Sequence, residues 1–277
     1  MRIQLFSDLH LERAPHFRPC IHPDTDVVVV AGDVGSYQSG SRLEGDDFGL
    51  ERFSPLQAGF PCARVLYVPG NHEFDALDYD EAYARLRQTC KRLGITWLER
   101  EVVTIGSVRF VGTTLWSDFE ALASRETNLA RQLTQRTKAH RAANYYLSKN
   151  TTLKAGQPLL AEGLRALSLE CQGWLRAALA VPFVGTTVAV THFAPSLQSA
   201  DPRYGLTPGT AGFCNALDDL FPLVDLWLHG HLHCANDYIV RGSDDERRWS
   251  CRVVANPLGY LSKGEQAAFC ADLIIAL

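Results

Sequence analysis

An aspartate and a histidine stand two positions apart near the start of the chain, and both side chains can bind a metal ion. Asp8 and His10 follow an apolar segment, residues 3–6, that is typical of a β-strand. If the strand continues through them, its alternation places both side chains on one side of the backbone. If the strand has ended, both lie on the loop at its carboxyl end, where open α/β sheets bind ligands. The pair alone is common by chance, so its meaning depends on matching residues elsewhere.

Four further polar turns follow predicted strands. They contain Asp33 after segment 26–31, Asn71 and His72 after 64–68, His192 after 186–190, and His231 and His233 after 224–228. Taken singly, a histidine at a strand end is more often an ordinary hydrogen-bonded residue, and Asp33 and Asn71 fit ordinary turns. Such turns at successive strand ends are hard to attribute to chance. Carboxylate, amide and imidazole donors suit divalent ions such as Mn, Fe or Zn, and their number suits two ions that share one carboxylate.

Strand and helix patterns place these turns in an α/β fold. Further strands are predicted at 95–98, 101–105, 108–112, 238–241, 251–255 and 271–275, and helices at 50–59, 80–93, 119–148, 159–179 and 213–220. We predict an antiparallel meander from 95 to 112 and an antiparallel set from the last three strands. The two series of strands indicate two sheets packed face to face with helices outside.

The chain shows no internal repeat and no low-complexity linker, so we interpret residues 1–277 as a single domain. The mostly polar helical region at about 117–180 is interpreted as an insertion or a covering layer.

Together, the five motifs resemble the signature of the calcineurin-like metallophosphoesterases. Asp8-x-His10, Gly32-Asp33, Gly70-Asn71-His72-Glu73, His192 and Gly230-His231-Leu232-His233 occur in the order of that family. Segments 191–196, 202–204 and 256–260 look like a compact bacterial branch, similar to Ser/Thr phosphatases. Two positions depart from the pattern. The second motif lacks the charged residue that often ends it, and Thr191 stands where glycine is usual, but neither change removes a side-chain ligand.

The resemblance implies a four-layer α/β/β/α sandwich of two mixed β-sheets flanked by helices, with a dimetal site where strand ends meet. It assigns Asp8, His10, Asp33 and His233 to the first ion and Asp33, Asn71, His192 and His231 to the second, with Asp33 as the bridge. His72 would bind no metal and would act as a general acid. The implied reaction is hydrolysis of a phosphodiester or phosphomonoester by attack of a metal-bridging hydroxide.

Other residues near the motifs have weaker claims to a role. Glu73 either orients His72 or caps the segment that follows. Arg203 and Tyr204 lie in a loop rich in Pro and Gly and are candidates for substrate binding, although exposed Arg is common. His229 is expected to point away from the site, because it is the last residue of a strand.

The overall charge bears on the class of substrate. The chain carries 27 Lys and Arg against 31 Asp and Glu, a formal net charge of −4. A small phosphoester substrate is therefore favoured over nucleic acid, and binding to an anionic membrane is not expected. No secretory signal or membrane span is apparent, and the eight cysteines show no Cys-x-x-Cys spacing, which predicts reduced thiols and a cytoplasmic protein.

Two other functions remain open from the residues. One is a metal-binding scaffold without activity, which is disfavoured because all proposed ligands and the acid are intact. The other is a nuclease or a protein phosphatase. A nuclease calls for a basic groove beside the site, whereas the sequence shows only local clusters such as Arg247 and Arg248. Between monoesters and diesters, the single acid His72 favours diesters, whose leaving group is a poor alkoxide.

Overall fold

Two β-sheets form the centre of the computed structural model, which describes residues 1–150, 152–243 and 248–277. The strands are β1 (Arg2–Phe6), β2 (Val27–Ala31), β3 (Val65–Val68), β4 (Thr96–Trp97), β5 (Glu101–Ile105), β6 (Val108–Thr113), β7 (Leu153–Lys154), β8 (Gln157–Pro158), β9 (Thr186–Thr191), β10 (Leu226–His229), β11 (Asn236–Ser243), β12 (Arg248–Ala255) and β13 (Ile274–Ala276). The α-helices are α1 (Tyr79–Leu93), α2 (Leu129–Asn150) and α3 (Ala161–Ala180).

The strand order explains why the polar turns meet. The first sheet has the order β13-β1-β2-β3-β4, and the second has β11-β12-β10-β9-β6-β5. Strands β1 to β4 run parallel, as do β12, β10, β9 and β6, whereas the edge strands β13, β11 and β5 are antiparallel to their neighbours. Parallel strands bring their carboxyl ends to one edge of each sheet. Two mixed sheets flanked by helices confirm the predicted fold class.

Alternate residues of the central strands pack into two different apolar clusters. Val27 and Val29 belong to a cluster that also contains Phe110 and Val188 of the second sheet, so this cluster lies between the sheets. Val28 and its alternate neighbours pack instead into the larger cluster that includes the helices. Both faces of the strands are therefore buried, which accounts for their continuous β-branched composition.

Two helix predictions were wrong in extent, and one predicted helix is absent. The helix predicted at 50–59 is a single 3-10 turn, Leu50–Phe53. The long helix begins at Leu129 rather than 119, because Asn128 caps it there by accepting a hydrogen bond from the N–H of Ala130 at 2.9 Å. The helix predicted at 213–220 does not form, since Cys214 pairs with Ala194 in a β-bridge; 3-10 turns Pro208–Gly212 and Asp218–Leu223 lie on either side.

The predicted strand pairings also need correction. Strands β5 and β6 form the expected hairpin, but β4 lies in the other sheet, parallel to β3, so the segment from 95 to 112 is not one antiparallel meander. Strand β12 is antiparallel to β11 but parallel to β10, and β13 joins the other sheet beside β1. The passage of the chain from β12 in the second sheet to β13 in the first is stabilised by Asn256. Its Nδ2 donates to the carbonyls of Leu5 and Cys270, both at 2.9 Å.

The helices of the predicted insertion cover one side of the second sheet. Helix α3 packs against β6 and α2, and α2 also packs against the turn Pro208–Gly212. The single-domain interpretation of 1–277 stays a prediction. None of the helices in the described part of the chain combines the length and apolar character needed to cross a bilayer.

Candidate active site

The turns that follow β1, β2, β9 and β10 bring their Asp and His side chains together in two groups. Ligand atoms of Asp8, His10, Asp33 and His233 lie within 4.8 Å of one another, and those of Asp33, His192 and His231 form a second such group. Asn71 follows β3, and its Oδ1 lies 3.1 Å from Nε2 of His192. All seven residues proposed from the sequence as ligands thus meet at one place, and Asp33 belongs to both groups.

Five of these residues have a backbone conformation that is uncommon for residues other than glycine. The φ angles are +53° at Asp8, +46° at His10, +53° at Asp33, +71° at His231 and +48° at His233. Each such residue costs about 1–3 kcal/mol and persists where surrounding contacts enforce it. Here the turns hold each other, because the N–H of Asp8 donates to the Gly32 carbonyl at 3.0 Å and that of His10 to the Asp33 carbonyl at 3.1 Å.

Two glycines of the motifs leave room for the carboxylates. A Cβ on Gly230 would lie 2.6 Å from Oδ2 of Asp8, and a Cβ on Gly70 would lie 2.7 Å from Cγ of Asp33. Neither position tolerates a side chain without displacing a proposed ligand. Close approach of the backbone therefore explains why the motifs need glycine there.

Oxygen acceptors orient three of the imidazole rings. Nδ1 of His10 lies 3.1 Å from Glu12 Oε1, Nδ1 of His233 lies 2.6 Å from Glu265 Oε2, and Nδ1 of His192 lies 2.8 Å from the Ala31 carbonyl. Since these oxygens can only accept, each Nδ1 carries the proton. Nε2 of each neutral ring then presents a lone pair to the centre of the site.

The centre consequently contains electron-pair donors that face one another. Nε2 of His10 lies 2.9 Å from Nε2 of His233, and Nε2 of His192 lies 3.2 Å from Oδ2 of Asp33. Oδ2 of Asp8, Oδ2 of Asp33 and Nε2 of His231 are buried and have no hydrogen-bond partner among the described residues. Buried acceptors of this kind require a proton or a cation between them. The nitrogen and oxygen donors fit divalent cations.

The pKa shifts of His192 and Asp33 also indicate that positive charge is favoured at the centre of the site. Burial opposes protonation of His192, yet the charge of Asp33 and a hydrogen bond to it raise the pKa of His192 to about 9. Burial would raise the pKa of Asp33, but His192 and His72 hold it well below its ordinary value. The proton of His192 thus takes a place that a cation can fill. Burial lowers the pKa of His10 and of His231.

His72 lies beside the two groups and belongs to neither. Its ring meets that of His10 edge-on with 5.0 Å between centroids, and its Nδ1 lies 2.5 Å from Oδ2 of Asp75. Burial opposes its protonation, but the charges of Asp33 and Asp75 raise its pKa to about 10, a value that bound cations would lower. The remaining Nε2 is left to act at the site. Thr152 donates to the other oxygen of Asp75 at 3.4 Å.

The contacts of Glu73 differ from both roles considered from the sequence, which were to orient His72 or to cap the following segment. Its carboxylate accepts hydrogen bonds from the N–H groups of Gly70 at 2.9 Å, Asp33 at 3.2 Å and Val34 at 2.7 Å. It therefore joins the turn after β2 to the turn after β3. Burial and the charge of Asp33 raise its pKa to about 8.

The weaker candidates lie apart from the two groups. Arg203 is bound to Asp201, with Nη2 2.6 Å from Oδ2, and Tyr204 is exposed. No contact joins Arg203 or Tyr204 to the proposed ligands within the described residues, so their role in substrate binding stays a prediction. His229 points away from the site as expected, with Nε2 3.0 Å from Oγ of Ser199.

Several residues at the site were missed from the sequence. Asp75 and Glu12 stand close in sequence to His72 and His10, and this proximity was the only signal. Glu265 follows the last motif, where no spacing pointed to it, and Tyr260 ends segment 256–260, which supported the resemblance but was given no role at the site. The Tyr260 ring nevertheless stacks on His10, with centroids 4.2 Å apart and planes 28° from parallel.

A family model described as calcineurin-like phosphoesterase matches residues 1–235, the segment that contains every proposed ligand. The chain belongs to the calcineurin-like phosphoesterase family. This phosphoesterase is 23% identical over 212 residues to "Uncharacterized protein L509" of Acanthamoeba polyphaga mimivirus, which is 71% of this chain and 68% of that protein.

A solved structure has a similar fold. The crystal structure of the phosphopantetheinyl hydrolase PptH from Mycobacterium tuberculosis superimposes on this phosphoesterase with a TM-score of 0.64 and 21% identity, over 96% of this chain and 92% of that one. At this identity the similarity shows the shared fold.

Glu73→Ala is expected to destabilise the phosphoesterase. Three buried backbone N–H groups would lose their acceptor, and the loss should lower the free energy of unfolding by about 3 kcal/mol or more. Urea denaturation at neutral pH measures this, with Glu162→Ala as the control, because the Glu162 side chain is 85% exposed. Equal stability of the two variants would contradict the joining role of Glu73.

Proposed function

We propose that this calcineurin-like phosphoesterase is a dinuclear metal-dependent hydrolase of phosphoesters. The observation that carries the proposal is the set of buried, facing acceptors arranged in two groups around Asp33. Asp8, His10, Asp33 and His233 would hold the first ion, and Asp33, Asn71, His192 and His231 would hold the second.

The types of the proposed ligands match this division. A bridge needs a carboxylate with two oxygens, and Asp33 is the residue common to both groups. Asn71 contributes a neutral oxygen, which leaves more positive charge for a phosphate. Bound Mn, Fe or Zn would supply activated water and charge stabilisation of the phosphoryl group.

His72 is the proposed general acid. Asp75 holds Nδ1 at 2.5 Å, so the Nδ1 proton is fixed and Nε2 carries the proton that would be given to the leaving oxygen. Buried Asp75 also favours the protonated ring that an acid needs. Asp75 is thus a positioning residue that acts through His72.

A small phosphoester group is the proposed substrate, with a preference for diesters. The structural neighbour is named as a phosphopantetheinyl hydrolase. A phosphopantetheinyl group joined to an alcohol through its phosphate is a diester, which supports the same preference. A substrate panel should therefore include phosphopantetheinyl diesters beside cyclic nucleotides, nucleotides, phospholipid head groups and sugar phosphates.

The other functions receive less support. An inactive scaffold does not need an acid held beside the ligands as His72 is. For a nuclease, Arg247 lies outside the described residues, and Arg248 is exposed on β12. A cytoplasmic location stays a prediction.

Purified protein supplied with Mn²⁺ should hydrolyse bis-p-nitrophenyl phosphate or p-nitrophenyl phosphate. A chelator should abolish the release of nitrophenolate, and added Mn²⁺ should restore it, because the bound ions supply the activated water. If neither ester is hydrolysed while bound metal is demonstrated, the enzyme proposal fails for simple esters and the scaffold is favoured.

Metal content should separate the two proposed ions. Asp8→Asn or His10→Ala removes a ligand of the first group only and should release about one ion per chain, whereas Asp33→Asn should weaken both. Plasma emission spectrometry after dialysis against dilute Mn²⁺ measures the ratio, with the exposed His16→Ala as control. Loss of equal amounts from the Asp8 and Asp33 variants would contradict the shared role of Asp33.

His72→Ala should keep both metal ions and slow the cleavage of poor leaving groups most. Loss of a general acid is expected to cost about 10²–10⁴-fold for a diphenyl phosphodiester and far less for the nitrophenyl diester, whose leaving group needs no proton. Steady-state rates on both esters measure the difference. Equal losses on the two esters would rule out protonation by His72.

A further inference from the structure

Helix α2 is basic along its whole length, although the chain as a whole is acidic. It carries Arg131, Arg136, Lys138, Arg141 and Lys149 and has no Asp or Glu among its residues. The entire chain has 31 acidic against 27 Lys and Arg residues. The net charge therefore conceals a local concentration of cations on one helix.

Four of these cations form a single exposed line, which we call the basic stripe: Arg131, Lys138, Arg141 and Lys149. At 100° per residue they fall within about 80° of arc, and they extend over about 27 Å of helix. None of the four has an acidic partner among the described residues. Arg136 is excluded, because its Nε lies 2.5 Å from Oε1 of Glu120.

Helix α2, which carries the basic stripe, is connected to the candidate active site at two places. Thr152 lies just beyond the carboxyl end of α2 and donates to Asp75, which holds His72. Along its side, α2 packs against the turn Pro208–Gly212. The next residue, Phe213, has its ring 5.1 Å from that of His231.

The side chains around the basic stripe favour a protein as its partner. Tyr145 is exposed within the arc of the basic stripe, and the exposed Tyr146 lies about 60° beyond its edge. Cations beside aromatic side chains are typical of protein interfaces, in which Arg and Tyr are enriched.

Single-stranded nucleic acid would need open aromatic faces on which bases can stack. The face of Tyr145 is covered by Nζ of Lys149 at 3.8 Å from the ring centroid, and the Tyr146 ring meets Tyr145 at 85°. These contacts favour an acidic protein over a nucleic acid.

We propose that the basic stripe of α2 docks an acidic protein and so brings a phosphoester carried by that protein to the metal centre. The docking of the partner is inferred from α2 alone. The inference that the partner carries a phosphoester rests on the proposed function. Positive charge along the stripe would steer an acidic surface into place, an effect that weakens as salt is added.

Charge reversal of the basic stripe tests the proposal. Fluorescence anisotropy would compare binding of a labelled peptide of repeating Glu-Glu-Leu with that of a labelled oligothymidylate of equal charge, at low and at higher salt. The variant combines R131E, K138E and R141E. Its control combines R87E, K91E and R92E, which makes the same change in net charge on the exposed side of α1.

The proposal expects wild-type protein and the α1 control to bind the peptide more tightly than the oligonucleotide, and the stripe variant to lose about tenfold or more in affinity. Hydrolysis of bis-p-nitrophenyl phosphate should be unchanged in both variants. Absence of peptide binding, equal losses in the two variants, or tighter binding of the oligonucleotide would each overturn the proposal. If wild type binds as expected but hydrolyses no ester, the proposed function fails and the docking surface stands.

Discussion

The site depends on the burial of one carboxylate, that of Asp33. Its side chain is 1% exposed, and a buried charge of this kind must be balanced by positive charge and hydrogen bonds. The N–H of His72 donates to Oδ1 at 2.8 Å, and His192 approaches Oδ2. The turns of both sheets are therefore organised around a charge that their own residues satisfy only in part. Divalent cations would supply the rest.

The left-handed backbone conformations of the turns are also explained by contacts between the turns. Left-handed residues such as Asp8 and His10 are costly, and the turns retain them because hydrogen bonds from one turn to the next leave no easier conformation. Carboxylates behind the rings have a related effect. Glu12 and Glu265 fix the protons on Nδ1 of two histidines, so the lone pairs cannot turn away from the centre. The electron-pair donors of the site are thus held facing one another, and they repel one another unless a cation lies between them.

The sequence predicts those parts of the molecule in which function follows directly from a buried strand. Asp8, Asp33 and His192 could be found because parallel strands bring their ends together, and the fold class followed from the same strands. Glu265 could not be found, since it lies 32 residues beyond the histidine that it orients and no local pattern links the two. The place of β13 depends likewise on a distant contact, that of Asn256 with Cys270.

The local positive charge of α2 was not recognised from the sequence, and its connection to Asp75 is seen only in the fold. The net charge of the whole chain is slightly negative and does not reveal the cations of α2. The sequence therefore favoured a small substrate. In the structure Thr152, just beyond the end of the same helix, donates to one oxygen of Asp75, and Nδ1 of His72 is bound to the other. The fold thus connects the proposed docking helix to the proposed acid. A residue that follows the proposed docking helix therefore binds the carboxylate that positions the proposed acid, so the fold would link recognition of a partner to the orientation of His72.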